Sequence, residues 1–222
     1  IFGSTKKFLK NYDDAIHSFC HCLPNTWHLM TVMLSCTSNV NWFINTFDSS
    51  IDEITKCLKE SIGSDILIKN SPYYLPYLTG ERTPLNDPHV RASFHNMGIE
   101  TNRNALIYSL IEGISFGLFD NYQALSKTGI KLNNLFVIGG GSKNEDWIKL
   151  LASILNRDLA ITEASDAMAA YGAARLAYLG YNNFKHEDLL KPPSVKKIIE
   201  KDNNISPLLQ ERFAQWKDYY VK

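Results

Sequence analysis

The 222-residue sequence has few cysteines, no long hydrophobic run and no excess of charge of either sign. Its four cysteines are irregularly spaced in apolar surroundings, which is typical of a protein in a reducing cytoplasm. No apolar run approaches the roughly 18–20 residues that span a bilayer, and no signal-peptide pattern is present. Lys+Arg and Asp+Glu balance at 23 each, so no overall field favours nucleic acid or an anionic membrane. These absences predict a cytoplasmic protein with neither nucleic acid nor membrane as a partner.

One short segment, His17-x-x-Cys20-His21-Cys22, gathers residue types that bind zinc. Zinc sites usually draw two pairs of ligands from separate segments, and no second pair is evident in this sequence. The alternative is a β-strand in which Cys20 and Cys22 share one face and His21 lies on the other. We favour the strand and predict no metal ligands.

A length of 222 residues suits one large domain or a domain with an appended tail. With 45% hydrophobic and 21% charged residues, the chain resembles an ordinary globular protein with a full core. Residues 1–190 are predicted to form the domain, and residues 191–222 a C-terminal tail that ends in a helix. The sequence begins at Ile1, inside a strand-like run, so we expect that a further segment precedes it.

The pattern of apolar residues predicts three strands, then a helical insert, then alternating strands and helices. An antiparallel meander is expected from the first three strands, at residues 1–2, 16–22 and 28–34. Later strands are predicted at residues 135–138 and 159–162. Helices are predicted at residues 40–47, 51–60, 102–127, 144–155, 167–179 and 207–221. Thr101 should cap the longest helix, in which Gly113 and Gly117 should let another backbone pack closely.

The most informative motif is a glycine turn between a strand and a helix. The apolar run 135–138 is typical of a strand buried on both faces of a parallel sheet, and Gly139-Gly140-Gly141 follows directly. Glycine leaves no Cβ between the main chain and a ligand, and the helix that runs to Leu155 offers unpaired N–H groups. The turn therefore predicts a nucleotide or phosphate site, although tight strand-to-helix turns also use glycine for purely steric reasons. Its spacing matches neither a P-loop nor the dinucleotide-binding fingerprint.

Two other segments are candidates for binding. The helix at 167–179 is rich in alanine and glycine, so a flat ligand could approach it; tight helix–sheet packing would explain the same composition. Residues 71–98 form a long loop that is either functional or simply packed on the surface. There Glu81, Arg82 and Asp87 could brace a cleft or contact phosphate and metal. We favour the simpler interpretation that Glu81 and Arg82 form a structural ion pair.

Taken together, several segments resemble the C-terminal domain of the FGGY carbohydrate kinases, most closely the xylulokinase-like members. The segments that are specific to xylulokinase-like members are His17 to Pro24 with Trp27 to Ser35, and Leu75 to Pro88. The segments that are shared across the family are Leu110 to Leu118, Ile138 to Trp147 and Gly172 to Ala177. The resemblance extends from the start of the chain to about Leu179.

The resemblance implies a ribonuclease H-like (actin/hexokinase-type) α/β fold, with a mixed sheet of three antiparallel strands followed by strand–helix alternation. It implies that ATP, with Mg²⁺, and a sugar lie in the cleft between this domain and an N-terminal domain of the same protein. The reaction implied is transfer of the γ-phosphoryl group of ATP to the 5-hydroxyl of D-xylulose. In this family the catalytic Asp and a Gly-Thr-Ser phosphate loop precede the part matched here. We therefore assign no catalytic residue to this chain and expect it to be inactive alone.

The resemblance also assigns nucleotide-binding roles. It places the adenosine and α-phosphate of ATP against Gly139, Gly140, Gly141 and Ser142. It places the adenine region beside Asn144, with the helix segment from Ala169 to Gly172, including Ala170, behind the nucleotide. Another FGGY kinase, acting on gluconate, ribulose or glycerol, is an alternative, and so is a non-catalytic actin-like nucleotide-binding module. The sugar and the oligomeric state, including a homodimer, are left open.

Overall fold

Two three-stranded sheets and a short hairpin pack around one long central helix. The computed structural model describes residues 1–10, 15–62, 64–163, 165–182 and 193–220. The strands are β1 (Phe2–Thr5), β2 (Ile16–Cys20), β3 (Trp27–Thr31), β4 (Tyr73–Leu75), β5 (Ser93–His95), β6 (Phe136–Val137), β7 (Leu159–Thr162) and β8 (Val195–Ile199). The helices are α1 (Ser38–Phe47), α2 (Ile51–Ser61), α3 (Asp65–Asn70), α4 (Arg103–Lys127), α5 (Glu145–Leu155), α6 (Met168–Asn182) and α7 (Ser206–Asp218). Among the helices of these ranges, none is long and apolar enough to cross a membrane.

The first sheet has the order β1-β3-β2, with β3 antiparallel to both neighbours. The prediction of three antiparallel strands is confirmed, but the meander order is wrong. β3 takes the central position, where Leu29 is fully buried beneath the sheet. A tight turn joins β2 to β3, in which His21 N–H donates to the Thr26 carbonyl at 2.9 Å. The connection from β1 to β2 is long, so nothing in the chain forces those two strands to pair.

The second sheet has the order β6-β7-β8, with β6 parallel to β7 and β8 antiparallel to it. The prediction that the strand before the glycine turn is buried on both faces is wrong. Phe136 is 41% exposed and Ile138 is 56% exposed. In the described part of the chain β6 pairs with β7 alone, so it is an edge strand. β8 escaped prediction because Lys196 and Lys197 interrupt its apolar pattern.

Helix α4 is the centre of the main core, because residues on nearly every face of it are buried. It begins one residue later than predicted: the Asn102 side chain caps it by accepting from Ala105 N–H at 3.0 Å. The Thr101 hydroxyl instead accepts from Gly98 N–H, before the helix.

The close approach predicted for the glycines of α4 is confirmed. A Cβ on Gly113 would lie 2.2 Å from the Tyr74 carbonyl oxygen, which no rearrangement of a flexible side chain could relieve. A Cβ on Gly117 would lie 2.9 Å from Cε of Met33 and 3.4 Å from Cγ of Pro76. The backbone of β4 therefore lies directly against α4 at Gly113, whereas Gly117 makes room for the side chains of Met33 and Pro76.

A buried ion pair joins α4 to the C-terminal helix α7. Arg212 Nη2 lies 2.6 Å from Glu112 Oε2, and Arg212 Nε lies 2.7 Å from Oε1. The two side chains are 4% and 1% exposed, respectively. Tyr108 donates to the same carboxylate, and the guanidinium lies 4.4 Å from the ring centre of Tyr73. Burial acts to lower the pKa of Arg212, but the Glu112 carboxylate outweighs it and raises that pKa.

The C-terminal segment contributes to both sheet and core. β8 completes the second sheet, and Trp216 of α7 is fully buried, with its Nε1 donating to the Tyr74 carbonyl at 2.8 Å. Phe213 packs against Phe116 and Phe119 of α4. The division of the chain after residue 190 stays a prediction about its organisation.

Replacement of Arg212 by alanine should lower the free energy of unfolding by about 3–5 kcal/mol, because it leaves the Glu112 carboxylate buried without a counter-charge. The control is Lys56→Ala, which removes an exposed i,i+4 ion pair with Glu60 and should change stability by less than ~0.5 kcal/mol. Urea unfolding followed by circular dichroism measures both. Equal, small effects would contradict the importance assigned to the buried pair.

Candidate functional site

The glycine turn has a sharper geometry than a strand running straight into a helix. Gly139 has φ +92°, a conformation that favours glycine, and its N–H donates to the Ser165 carbonyl at 2.8 Å. Gly140–Lys143 forms a single 3-10 turn before α5 begins. Asn144 caps α5 by accepting from Trp147 N–H at 3.0 Å. A 3-10 turn therefore separates the glycines from α5, and the Asn144 side chain pairs with one of the amide groups at the start of that helix.

The three glycines of the turn differ in whether steric constraints require glycine at their positions. The positive φ of Gly139 is a steric reason, and Gly141 packs on Trp147, whose ring would lie 3.4 Å from an added Cβ. Gly140 has neither reason: its φ is not positive, and an added Cβ would meet nothing within 4 Å. Gly140 therefore borders open space, as expected where a ligand approaches the main chain. Trp147 in turn donates from Nε1 to the Ser115 hydroxyl of α4 at 3.0 Å, which fixes the turn to the core.

Two predicted site residues shape the turn from inside. Ser142 is 3% exposed, and its hydroxyl donates to the Gly139 carbonyl and lies 2.7 Å from the Ser165 hydroxyl. Asn144 caps α5 with its oxygen and donates from Nδ2 to the Thr55 hydroxyl at 3.2 Å. Their direct contact with a nucleotide stays a prediction.

The start of α6 lies beside the turn. Lys143 Nζ lies 2.8 Å from Asp166 Oδ2, so an exposed ion pair accompanies the contact between Ser142 and Ser165. The hydrogen bond with Asp166 raises the pKa of Lys143, and the hydrogen bond with Lys143 lowers the pKa of Asp166. Sequence reasoning did not single out Ser165 or Asp166, although two polar residues directly before a small-residue helix are a usable signal.

The small-residue helix α6 lies open beyond the turn. Ala170 is exposed, and a Cβ on Gly172 would meet nothing within 4 Å. Among its described side chains only Leu179 is buried, so tight packing against a sheet does not account for its alanines. The predicted residues Ala170 and Gly172 thus share an open surface that begins next to the glycine turn.

A separate shallow cavity of about 350 Å³ lies on α6, lined by Tyr171, Ala174, Arg175 and Tyr178. Its walls are aromatic and cationic, with the Arg175 guanidinium 5.3 Å from the ring centre of Tyr171. Tyr171 belongs to the segment 169–172 that the resemblance places behind the nucleotide, whereas Ala174, Arg175 and Tyr178 lie outside the predicted nucleotide site.

The histidine–cysteine segment ends the strand β2. The strand stops at Cys20, two residues earlier than predicted, and both Cys20 and Cys22 are exposed free thiols. His21 Nδ1 lies 3.4 Å from Cys22 Sγ. Among the residues that the structure describes, no three His, Cys, Asp or Glu side chains group so that they could hold a metal ion. The absence of metal ligands from this chain stays a prediction.

The predicted Glu81–Arg82 ion pair is wrong. Glu81 is 3% exposed, and its Oε1 accepts from the N–H groups of Leu34 at 3.0 Å and Arg82 at 2.7 Å. The carboxylate is turned inward to these backbone amides, and its Oε2 is buried without a hydrogen-bond partner. The Arg82 side chain is exposed and makes no hydrogen bond or ion pair with the described residues. Asp87 accepts from His89 N–H and from the Tyr220 hydroxyl.

Thr83 ties the Glu81 loop to the end of β3 and to α4. Its hydroxyl accepts from Val32 N–H at 3.1 Å and donates to the Ala15 carbonyl at 2.5 Å. Its carbonyl accepts from Asn121 Nδ2 of α4 at 2.8 Å. Neither Thr83 nor Asn121 was predicted, because these contacts join parts of the chain that are far apart in sequence.

Burial raises the pKa of Glu81 to about 7, and nearby Asp120 adds to this effect, although the hydrogen bonds from the Arg82 and Leu34 amides oppose it. An unfolded glutamate titrates near 4.5. Between these two values the folded chain therefore holds a proton that the unfolded chain has lost. The stability that this proton provides is complete below about pH 4.5 and is lost as the pH rises through about 7.

Glu81→Gln cannot ionise, so it should remove this loss. The free energy of unfolding of the variant relative to the original chain should rise by about 2–3 kcal/mol between pH 5 and pH 8. Urea unfolding at both pH values measures the difference. Glu60→Gln, at an exposed glutamate, is the control and should show no such trend. A Glu81→Gln difference that is independent of pH would show that the carboxyl is already ionised at pH 5.

Comparison with known proteins agrees with this architecture. Residues 4–181 match the model of the FGGY family of carbohydrate kinases, C-terminal domain. The xylulose kinase of Escherichia coli K12 is 35% identical over 182 residues, which are 82% of this chain and 37% of that protein. The crystal structure of a xyloylose kinase from Brucella ovis is 33% identical, has a TM-score of 0.89, and is matched over 99% of this chain and 44% of that one.

A more distant solved structure shares the fold. Plasmodium falciparum glycerol kinase with ADP has a TM-score of 0.79 at 18% identity, over 100% of this chain and 45% of that one. The chain thus spans less than half the length of each of these relatives. Because the family model matches most of the sequence and the mixed α/β fold matches solved kinases of the actin-like ATPase type, the chain belongs to the FGGY family of carbohydrate kinases as a C-terminal domain.

Proposed function

We propose that this chain is the ATP-binding part of a sugar kinase that phosphorylates D-xylulose to D-xylulose 5-phosphate in the cytoplasm. Its similarity to two xylulose kinases, at 33% and 35% identity, supports the choice of sugar. The single observation that carries the nucleotide assignment is Gly140, a glycine that borders open space without a steric reason.

In this proposal the glycine turn holds the adenosine end of ATP. Gly139 and Gly140 present bare main chain, while Gly141 and Ser142 keep the turn in place through Trp147 and Ser165. The start of α6, with Ala170 and Gly172, supplies an open surface on which a flat base can lie. Because the turn is anchored before any ligand arrives, little conformational entropy is lost on binding.

Phosphoryl transfer needs Mg²⁺ and a group that accepts the proton of the sugar hydroxyl. The residues described here offer no cluster of metal-ligating side chains, so they do not fit the Mg²⁺ site of the reaction. We assign the metal ligands and the catalytic base to the part of the protein that corresponds to the remaining length of the relatives. The role of this chain is then to bind and orient the nucleotide.

Two alternatives differ in class. Another FGGY kinase could act on gluconate, ribulose or glycerol, since the glycerol kinase fold is shared. A non-catalytic actin-like module would bind nucleotide without any sugar. We favour xylulose because both of the relatives above 30% identity described here are kinases of that sugar.

Gly140→Val should lower the affinity for ATP about tenfold or more, because its side chain would occupy the space beside the main chain. The fold should be unaffected, since nothing in the chain lies within 4 Å of the added Cβ. Gly98→Val is the matched control, because Gly98 is equally open and lies on the loop before α4. Isothermal titration calorimetry with ATP measures all three proteins, and unchanged affinity in Gly140→Val would refute the assignment of the turn.

The complete protein should phosphorylate xylulose in preference to ribulose, gluconate and glycerol, and the 222-residue chain alone should show no turnover. A coupled assay of ADP release across the four sugars tests the first statement, and the same assay on this chain tests the second. Preference for another sugar would contradict the proposal that D-xylulose is the substrate. Turnover by this chain alone would refute the placement of the catalytic base elsewhere.

A further inference from the structure

Arg82 is a cation with no polar side-chain partner among the described residues, and it lies on an anchored loop. Its N–H donates to Glu81 Oε1 at 2.7 Å, and its carbonyl accepts from Asn86 N–H at 2.6 Å. The next residue, Thr83, is fully buried and hydrogen-bonded on three sides. The Arg82 side chain itself is exposed, with no polar partner in the part of the chain that the structure describes. A guanidinium on a backbone that is already fixed is well arranged to bind an anion.

The two carboxylates of the same loop do not neutralise Arg82. Glu81 uses one oxygen for backbone amides and buries the other without a partner. Asp87 accepts from the backbone of His89 and from the hydroxyl of Tyr220. Both carboxylates of the loop are therefore engaged elsewhere, and neither neutralises Arg82.

The Arg82 loop and the glycine turn rest on the same helix. Thr83, beside Arg82, accepts from Asn121 of α4, and Trp147, beneath the glycine turn, donates to Ser115 of α4. Asn121 and Ser115 lie on different faces of the helix, about 9 Å apart along its axis, and the helix is roughly 10–12 Å across. On an ideal helix the Cα atoms of these two anchoring residues are therefore about 10 Å apart.

We propose that Arg82 binds the β- and γ-phosphates of the ATP whose adenosine lies on the glycine turn. The inference rests on the proposed function, because it takes the nucleotide position from Gly140. It adds a charged contact at the far end of the nucleotide, where a guanidinium can pair with two phosphate oxygens at once. AMP lacks both of those phosphates, so its affinity for the chain should not depend on Arg82.

The test is calorimetric titration of the 222-residue chain with ATP and with AMP. Arg82→Ala should weaken ATP binding about tenfold and leave AMP binding unchanged. Arg82→Lys, which keeps the charge but not the planar fork, should lie between the two. Arg91→Ala is the matched control: Arg91 is an exposed arginine of the same segment, and its guanidinium donates to the carbonyls of Pro88 and Val90. It should leave both affinities unchanged.

The possible results distinguish failure of the Arg82 inference from failure of the proposed function. Unchanged ATP affinity in Arg82→Ala overturns the inference, and so does an equal loss for ATP and AMP, which would show that Arg82 acts on the fold. If Arg82→Ala is unfolded by circular dichroism, Arg82→Gln takes its place with the same expectation. Failure of the original chain to bind either nucleotide would defeat the proposed function itself, and this result is distinguishable because it needs no variant.

Discussion

The contact between the backbone of α4 and strand β4 is the constraint on which the rest of the structure depends. A methyl group at Gly113 would overlap the Tyr74 carbonyl, so the helix and this strand can meet only through glycine. That contact places Trp216 within reach of the same carbonyl, and the buried Glu112–Arg212 pair then fixes α7 beside it. Helix, strand and C-terminal helix therefore form one packed unit that no single element could form alone.

The same helix supports both parts of the proposed nucleotide site. Ser115 holds Trp147, which packs on Gly141, and Asn121 holds Thr83, which fixes the loop that carries Arg82. A nucleotide bound across these two anchors would meet surfaces that are already ordered. Ser115 and Thr83 are buried and hydrogen-bonded, as buried polar groups generally are, and Asn121 donates from Nδ2 while its buried Oδ1 has no hydrogen-bond partner among the described residues.

Sequence patterns predicted the positions of helices and strands better than the contacts between them. The long helix, the glycine turn and the small-residue helix were found from period and composition, because these are local properties. β8 was missed, since two lysines break its pattern and it is held by pairing with β7. The Glu81–Arg82 ion pair was predicted wrongly because the sequence shows only that two opposite charges are adjacent. In the structure Glu81 is buried and accepts hydrogen bonds from the amides of Leu34 and Arg82.

The sequence by itself determined the family and the position of the glycine turn, because the motifs that carry both are contiguous runs of residues. Only the tertiary structure decided which glycine has no steric reason, since that depends on the empty space around Gly140. It also decided that Glu81 does not pair with Arg82, since the Glu81 carboxylate accepts hydrogen bonds from backbone amides of two separate segments. Composition and spacing cannot show the space around Gly140 or the hydrogen-bond partners of Glu81, because both depend on how distant parts of the chain pack together.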